Sequence, residues 1–391
     1  MKKKLILNYI AILILFLGTG AGTFENAATQ SMIEAWPEVA TASIRSMITL
    51  PCLISMVTMI LVGRIVGRKI SYRHTAIIGS ILIIIGGISP FFIHSSWSII
   101  LMFRVILGVG VGCLSIRNPL LVNTVPPEQL AKFIGLGNVV SSIMSVLIAP
   151  LVGHLTTYGW QYAFLSNSFA IIVIILVMLF LKEPKKQEEI KNIEKIKIPN
   201  TVFIYIIIQF FATMSLYPLL SGISTYLHDL NIGSATIAGY MLSIYTSGGI
   251  ITNLLLNKIH RNLKGNALPL AFILPIIGVS LVIASPNIIV IGLGVFISGV
   301  GFTIVFSLLQ VLNGRVCDEQ SVAQGSTLIL AANQLAVFLS SYFIEITAHF
   351  NIFDIEMKNP YFICVIIYIF LAISSVLFKN KINITNHNSN A

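Results

Sequence analysis

The stretch Arg104-Val105-Ile106-Leu107-Gly108-Val109-Gly110-Val111-Gly112 decides the fold. It lies inside an apolar run that begins near Trp97 and reaches about residue 119. A run of about twenty apolar residues matches the thickness of a bilayer's hydrocarbon core. A single arginine within such a run is expensive, so it faces either a cavity or an acidic partner; the competing reading is an arginine that snorkels to the outer interface. The glycines at 108, 110 and 112 let helix backbones approach closely, and packing alone accounts for them.

Similar runs recur along the whole chain. Helices are expected at 5–33, 43–65, 73–92, 97–119, 132–155, 160–181, 200–220, 233–256, 267–284, 288–311, 321–345 and 360–378. Composition agrees: 56% of the 391 residues are hydrophobic and 10% are charged, against about 25% charged in soluble domains. Such a chain needs lipid around it. The expected fold class is therefore an all-α integral membrane protein of twelve transmembrane helices. The start, Met1 to Lys4 followed by apolar residues to Leu17, also has the form of a signal peptide; cleavage there would leave eleven spans.

Charge sets the orientation. With the N-terminus inside, Lys2, Lys3, Lys4, Arg64, Arg68, Lys69, Arg73, Arg117, Lys132, the lysines from Lys182 to Lys197, Lys258, Arg261, Lys264, Arg315, Lys379 and Lys381 are cytoplasmic. Only Arg45 and Lys358 fall outside. This is the positive-inside pattern. It places the protein in the cytoplasmic membrane, multi-pass, with both termini inside. The net charge of +10 then reflects topology and anionic lipid headgroups, and nucleic acid is not an expected partner.

The two halves share a register. Gly108-Val109-Gly110 matches Gly299-Val300-Gly301 at a shift of 191, and Gly87 with Gly278, Val125 with Val316, Glu128 with Glu319 and Gln129 with Gln320 repeat it. The expected domains are an N-terminal six-helix bundle (1–181), a charged linker (182–199), a C-terminal six-helix bundle (200–378) and a polar tail (379–391), the bundles related by an axis along the membrane normal.

Several segments carry a family resemblance. Arg104 to Gly112 resembles the fourth-helix signature of the major facilitator superfamily. Gly63-Arg64-Ile65-Val66-Gly67-Arg68-Lys69 is similar to its second-to-third loop, but Arg64 stands where the family has an aspartate, and Ile65 occupies the next basic position. Pro127-Glu128 with Lys132, Trp160-Gln161-Tyr162-Ala163-Phe164 and Leu230 to Gly239 resemble further family elements. Ala149-Pro150-Leu151-Val152-Gly153 is similar to the Gly-Pro-x-x-Gly-Gly element of its drug/proton antiporters, with Ala149 and His154 in place of glycines. A proline there bends the helix, and a plain packing kink is the competing reading. The resemblance implies a monomeric secondary transporter of a small molecule. It implies Gly63, Gly67, Arg68, Lys69, Gly108, Gly110, Gly112, Pro150 and Gly153 as conformational residues.

Glu25, Asn26 and Gln30 lie on the first span. Burial disfavours a charged carboxylate, which suits a group that binds and releases a proton. Glu25 is also placed at the depth of Arg104 and able to pair with it; the alternative is a loop glutamate. Glu34 and Glu38 read as loop residues, and Arg117, near the inner end, reads as snorkelling. Among the other polar residues within spans are Asn118, Asn138, Asn167, Gln209, Asn253, Gln310, Asn313, Asn333 and Gln334, which either bridge helices or line a cavity. Tyr205, Tyr217, Tyr240 and Tyr245 either line a site or anchor the interface. The expected substrate and proton pathway is Arg104, Glu25, Asn26, Gln30, Asn138, Gln209, Tyr217, Tyr245 and Asn333.

Enzyme chemistry finds no footing. There is no Gly-x-x-x-x-Gly-Lys-Ser/Thr loop for a nucleotide and no His/Cys/Asp/Glu cluster at metal spacing, so no metal or other cofactor is expected. Cys52, Cys113, Cys317 and Cys364 read as small core residues. The leading expectation is proton-coupled efflux of a small organic molecule. The alternative is uptake of an organic anion or nutrient.

Overall fold

The computed structural model describes residues 2–21, 23–67, 69–184, 198–263, 266–318 and 321–377. Arg68, most of the expected linker and the expected tail lie outside them, as do Glu319 and Gln320 and the side chains of Pro127 and Glu128. The helices are α1 (Lys2–Ile14), α2 (Thr29–Ala35), α3 (Thr41–Ile65), α4 (Tyr72–Phe92), α5 (Trp97–Cys113), α6 (Arg117–Val122), α7 (Pro127–Leu155), α8 (Phe169–Phe180), α9 (Asn200–Asp229), α10 (Ala235–Leu263), α11 (Ala267–Ala284), α12 (Ile288–Val316), α13 (Val322–Ala348) and α14 (Lys358–Leu377). They follow the twelve expected segments in order. Among the described residues ten spans are long and apolar enough to cross a membrane, and the extended contacts amount to one isolated bridge, Val66 to Ile70.

Two expected elements take a different form. The first span is not one helix. Between α1 and α2 lie two 3-10 segments, Leu15–Thr19 and Phe24–Ala28. The break falls where Gly18, Thr19, Gly20 and Thr23 cluster, residues of low helix propensity. Helix α9 runs on past its expected end at residue 220 to Asp229, so His228 and Asp229 close the helix. The turn that follows is short, with Asn231 at φ 56° and α10 already begun at Ala235.

The chain forms two compact units. One draws on Met1–Lys191 and Leu220–Ser243, the other on Asn192–Leu219 and Ile244–Ala391. In the first, α5 packs along α3 and α4, and α4 along α8. In the second, α11 packs along α12 and α14.

Within each unit the glycines set the spacing, and they do so in the 191-residue register. A Cβ on Gly108 would lie 2.6 Å from Ile54 Cβ, and one on Gly299 would meet the Tyr245 backbone. Ile54 and Tyr245 are themselves 191 apart. A Cβ on Gly110 would lie 2.9 Å from the Ile83 side chain, and one on Gly301 2.8 Å from Leu274 Cβ; these partners are again 191 apart. Small residues at these positions give the backbone contact that drives helix pairing where no hydrophobic force between helices is available.

One end of the first unit is a polar rim. Glu183 accepts hydrogen bonds from the Tyr72 and Arg73 amides at 2.7 and 3.0 Å. Asn8 Oδ1 accepts from the Lys182 amide at 2.8 Å, and Asn123 Nδ2 donates to the Tyr72 hydroxyl at 3.0 Å. Elsewhere in this unit the chain's three tryptophans gather, Trp36 stacking at 5.6 Å on Trp97 and 6.0 Å on Trp160. Amphipathic rings of this kind favour a membrane interface.

Candidate functional site

Arg104 and Glu25 meet in the core of the first unit. Both are 0% exposed. Arg104 Nη1 donates to Glu25 Oε1 at 3.0 Å and Nη2 to Oε2 at 3.2 Å, the two-pronged geometry that a planar guanidinium makes with a carboxylate. Asn167 Nδ2 donates to the same Oε1 at 2.8 Å. Phe164 lies beneath the guanidinium, 5.7 Å from its carbon.

The seat for Arg104 is built by a proline. Pro51 stands inside α3 and has no N–H to give the carbonyl of Met47, one turn back. Arg104 Nε takes that carbonyl at 3.2 Å, and Nη2 takes the next one, Ile48 O, at 3.1 Å. Burying two charges is unfavourable unless they are paired and their remaining donors satisfied. Here the partners come from α3, α5, the 3-10 segment around Glu25 and the segment Trp160–Ser168.

Arg117 is placed differently. Pro119 leaves Ser115 O without its helical donor, and the helix tightens into a 3-10 turn at Leu114–Ile116 just before Arg117. Arg117 Nη1 donates to Leu114 O at 3.3 Å, and the guanidinium carbon stands 5.2 Å from the centre of the Phe16 ring. Its Nε is buried and has no acceptor among the described residues. Among the described residues the ion pairs are Arg104–Glu25, His228–Glu34 and His228–Asp229, so Arg117 has no carboxylate there.

In the second unit Gln209, Thr213 and Asn333 form a polar knot. Gln209 Nε2 donates to Thr213 Oγ1 at 2.8 Å and to Asn333 Oδ1 at 3.2 Å, and the Thr213 hydroxyl donates to Asn333 Oδ1 at 2.9 Å. Gln209 is 0% exposed and its Oε1 has no partner among the described residues. Tyr368 donates to Ala212 O at 2.6 Å nearby in the same unit.

The other expected residues fall as follows. Asn26 is buried beside Glu25 in the chain. Gln30 donates to Glu34 at 3.0 Å. Asn138 is exposed on α7. Tyr217 is buried and Tyr245 partly so. A Cβ on Gly63 would meet nothing within 4 Å, whereas Gly67, at φ +82°, closes the turn after α3 and lies against the Tyr72 ring. Lys69 is exposed. Gly153 and Pro150 on α7 lie against Ala235, Thr236 and Gly239 of α10, where side chains are too small to hold the backbones apart. The structure thus brings Glu25 to Arg104 and Gln209 to Asn333. It adds Asn167, Pro51, Phe16 and Thr213. A proline inside an apolar span was the visible signal for Pro51.

A bundle of long apolar helices that buries an ion pair and keeps a second arginine within a span is a polytopic membrane protein built around interior charge. The chain belongs to the Major Facilitator Superfamily, which it matches over residues 10–341. It is similar to the hexuronate transporter of Bacillus subtilis (strain 168), 34% identical over 101 residues, which are 25% of this chain and 24% of that protein. The chain therefore matches about a quarter of the length of that curated relative. Among solved structures it resembles a D-xylose-proton symporter (TM-score 0.75, 15% identity, 96% of each chain). It also resembles the POT family transporter PepTSo (TM-score 0.76, 9% identity, 99% of each chain). At these identities the likeness is one of fold.

Proposed function

We propose that this protein is a secondary transporter that moves a small organic molecule across the membrane by alternating access, coupled to protons through Glu25. The observation that carries this reading is the buried Glu25–Arg104–Asn167 network in a fold of this family. A proton arriving on Glu25 cancels half of an ion pair held away from water. An uncompensated buried charge is worth about 3–5 kcal/mol, enough to shift a two-state equilibrium by about a hundredfold or more. Protonation of Glu25 would therefore loosen the first span from α5 and change which state is favoured.

In this proposal the direction is uptake. The similar proteins include one named a hexuronate transporter and one named a D-xylose-proton symporter. Efflux is the second reading, favoured by the Ala149–Gly153 segment and its close contact with α10. The family fold and the bias of basic residues toward one side support placement in the cytoplasmic membrane with both termini inside.

The test is accumulation of radiolabelled lactate, D-glucuronate and benzoate in proteoliposomes under an imposed pH gradient. Accumulation on the alkaline side above that of protein-free liposomes, which take up permeant weak acids unaided, is expected, with loss of the excess when a protonophore collapses the gradient. Accumulation indifferent to the protonophore removes the coupling. Accumulation by everted but not right-side-out cell vesicles reverses the direction.

A further inference from the structure

We infer that Arg117 is an anion-holding site within the span, and that the transported molecule carries a carboxylate. The inference rests on the transporter reading above and names its substrate class.

A guanidinium offers two edges that match a carboxylate. In Arg104 each of the three nitrogens is engaged, by Glu25, Met47 O and Ile48 O. In Arg117 only Nη1 is engaged, by Leu114 O. Its Nε has no acceptor and Nη2 makes no hydrogen bond among the described residues. The Nε–Nη2 edge, the side-on edge of the fork, is therefore unpaired among the described residues, with its Nε buried. One face of the guanidinium is covered by Phe16, which fixes its plane and leaves the unpaired edge free of the ring.

Snorkelling does not account for this placement. The polar rim is marked by Asn8, Tyr72, Asn123 and Glu183. Phe16 is eight residues beyond Asn8 and Arg117 six before Asn123. At 1.5 Å per residue those are depths of about 12 and 9 Å. A snorkelling arginine would reach toward the rim. Arg117 instead turns back to the carbonyl of Leu114 and the ring of Phe16, away from Asn123. It is also partly accessible, unlike Arg104, which is 0% exposed. A cation inside a span that is partly accessible and has no carboxylate among the described residues calls for an anion, and the planar unpaired edge selects a carboxylate over a spherical ion.

The experiment is equilibrium binding to the purified full-length protein in nanodiscs of neutral phosphatidylcholine, so that no acidic lipid competes. The probes are matched pairs: lactate and lactamide, D-glucuronate and D-glucose, benzoate and benzamide. At least one acid is expected to bind while its neutral partner does not. Arg117→Gln is expected to weaken that acid by about thirtyfold or more, as for a truncated charge pair. Arg117→Lys, which keeps the charge but loses the fork, is expected to retain part of the affinity, and it serves if Arg117→Gln fails to fold. Binding of the acid by Arg117→Gln at wild-type strength overturns the inference. So does equal binding of an acid and its neutral partner, or failure of all three acids to bind the wild type. Counterflow of a neutral solute by a wild type that binds no acid would overturn this inference alone and leave the transporter reading standing.

Discussion

Arg104 is seated on the carbonyl that Pro51 leaves open. Its Nε lies 3.2 Å from Met47 O, one turn before the proline. The helix break and the charged side chain therefore solve each other's problem: α3 would otherwise bury an unsatisfied carbonyl in the protein core, and the guanidinium would lack an acceptor for its Nε.

Removing one member of the Glu25–Arg104 pair should therefore be worse than removing both. Glu25→Ala or Arg104→Ala leaves a buried charge and is expected to destabilise the protein by about 3–5 kcal/mol. The double variant Glu25→Leu/Arg104→Leu should lose much less than the sum of the two single losses, because no charge is stranded. Chemical unfolding in detergent reads the three variants against wild type. Additive losses would show that the pair is not a coupled unit.

Asn167 gives a second, smaller prediction. Its amide donates to a carboxylate at 2.8 Å in a buried site, and hydrogen bonds to charged groups contribute about 1.5–3 kcal/mol. Asn167→Ala should lose about that much. Asn138→Ala, at an exposed position on α7, should stay within about 0.5 kcal/mol. Equal effects of the two substitutions would mean that Asn167 does not support Glu25.

The fold was legible because a bilayer imposes a length of apolar sequence that a reader can count. The shared 191-residue register was visible for the same reason: Gly108 and Gly110 must be small where helices touch, and so must Gly299 and Gly301. The pairing of Glu25 with Arg104 was readable as a possibility, since both are costly in the same apolar depth. What the sequence hid were partners set by geometry across the bundle. Asn167 is one polar residue among many, and nothing local says that it faces Glu25. The freeing of Met47 O by Pro51 needs the helix crossing to acquire meaning. Arg117 looked like a residue near the end of its span; only its partners Leu114 and Phe16 show that it turns inward. The break at Gly18–Thr23 was missed because hydropathy continues across it while helix propensity does not.

The glycines sort themselves by what a methyl group would strike. Gly110→Ala would bring a Cβ to 2.8 Å from Gly79 O and Ile83 N, both backbone atoms that side-chain motion does not move. A loss of about 1–3 kcal/mol is expected from overpacking. Gly67→Ala, at φ +82°, should lose about 1–2 kcal/mol from backbone strain. Gly63→Ala meets nothing within 4 Å and lies in the last turns of α3. It should be neutral or gain up to about 1 kcal/mol of helix propensity. Unfolding midpoints of the three variants should rank accordingly, and a destabilised Gly63→Ala would mean that this glycine has a partner in another conformation.

The start of α4 supplies the last prediction. The first three amides of this helix have no intrahelical acceptor. All three are taken by side chains: Tyr72 N and Arg73 N by the Glu183 carboxylate at 2.7 and 3.0 Å, and His74 N by Ser71 Oγ at 3.1 Å. Glu183 is distant in sequence, so this cap also ties the chain after α8 to α4, and Arg73 returns the tie by donating to Met178 O at 2.7 Å. A carboxylate at a helix N-terminus gains from the helix dipole as well as from its hydrogen bonds. Because Glu183 is exposed, solvent screens that gain, and Glu183→Ala should lose only about 1 kcal/mol. The local effect should be larger than the global one. Hydrogen exchange at the Tyr72 and Arg73 amides should accelerate in Glu183→Ala, while His74, held by Ser71, changes little; Ser71→Ala should reverse that pattern. Equal exchange at all three amides in both variants would show that neither side chain caps the helix in the membrane.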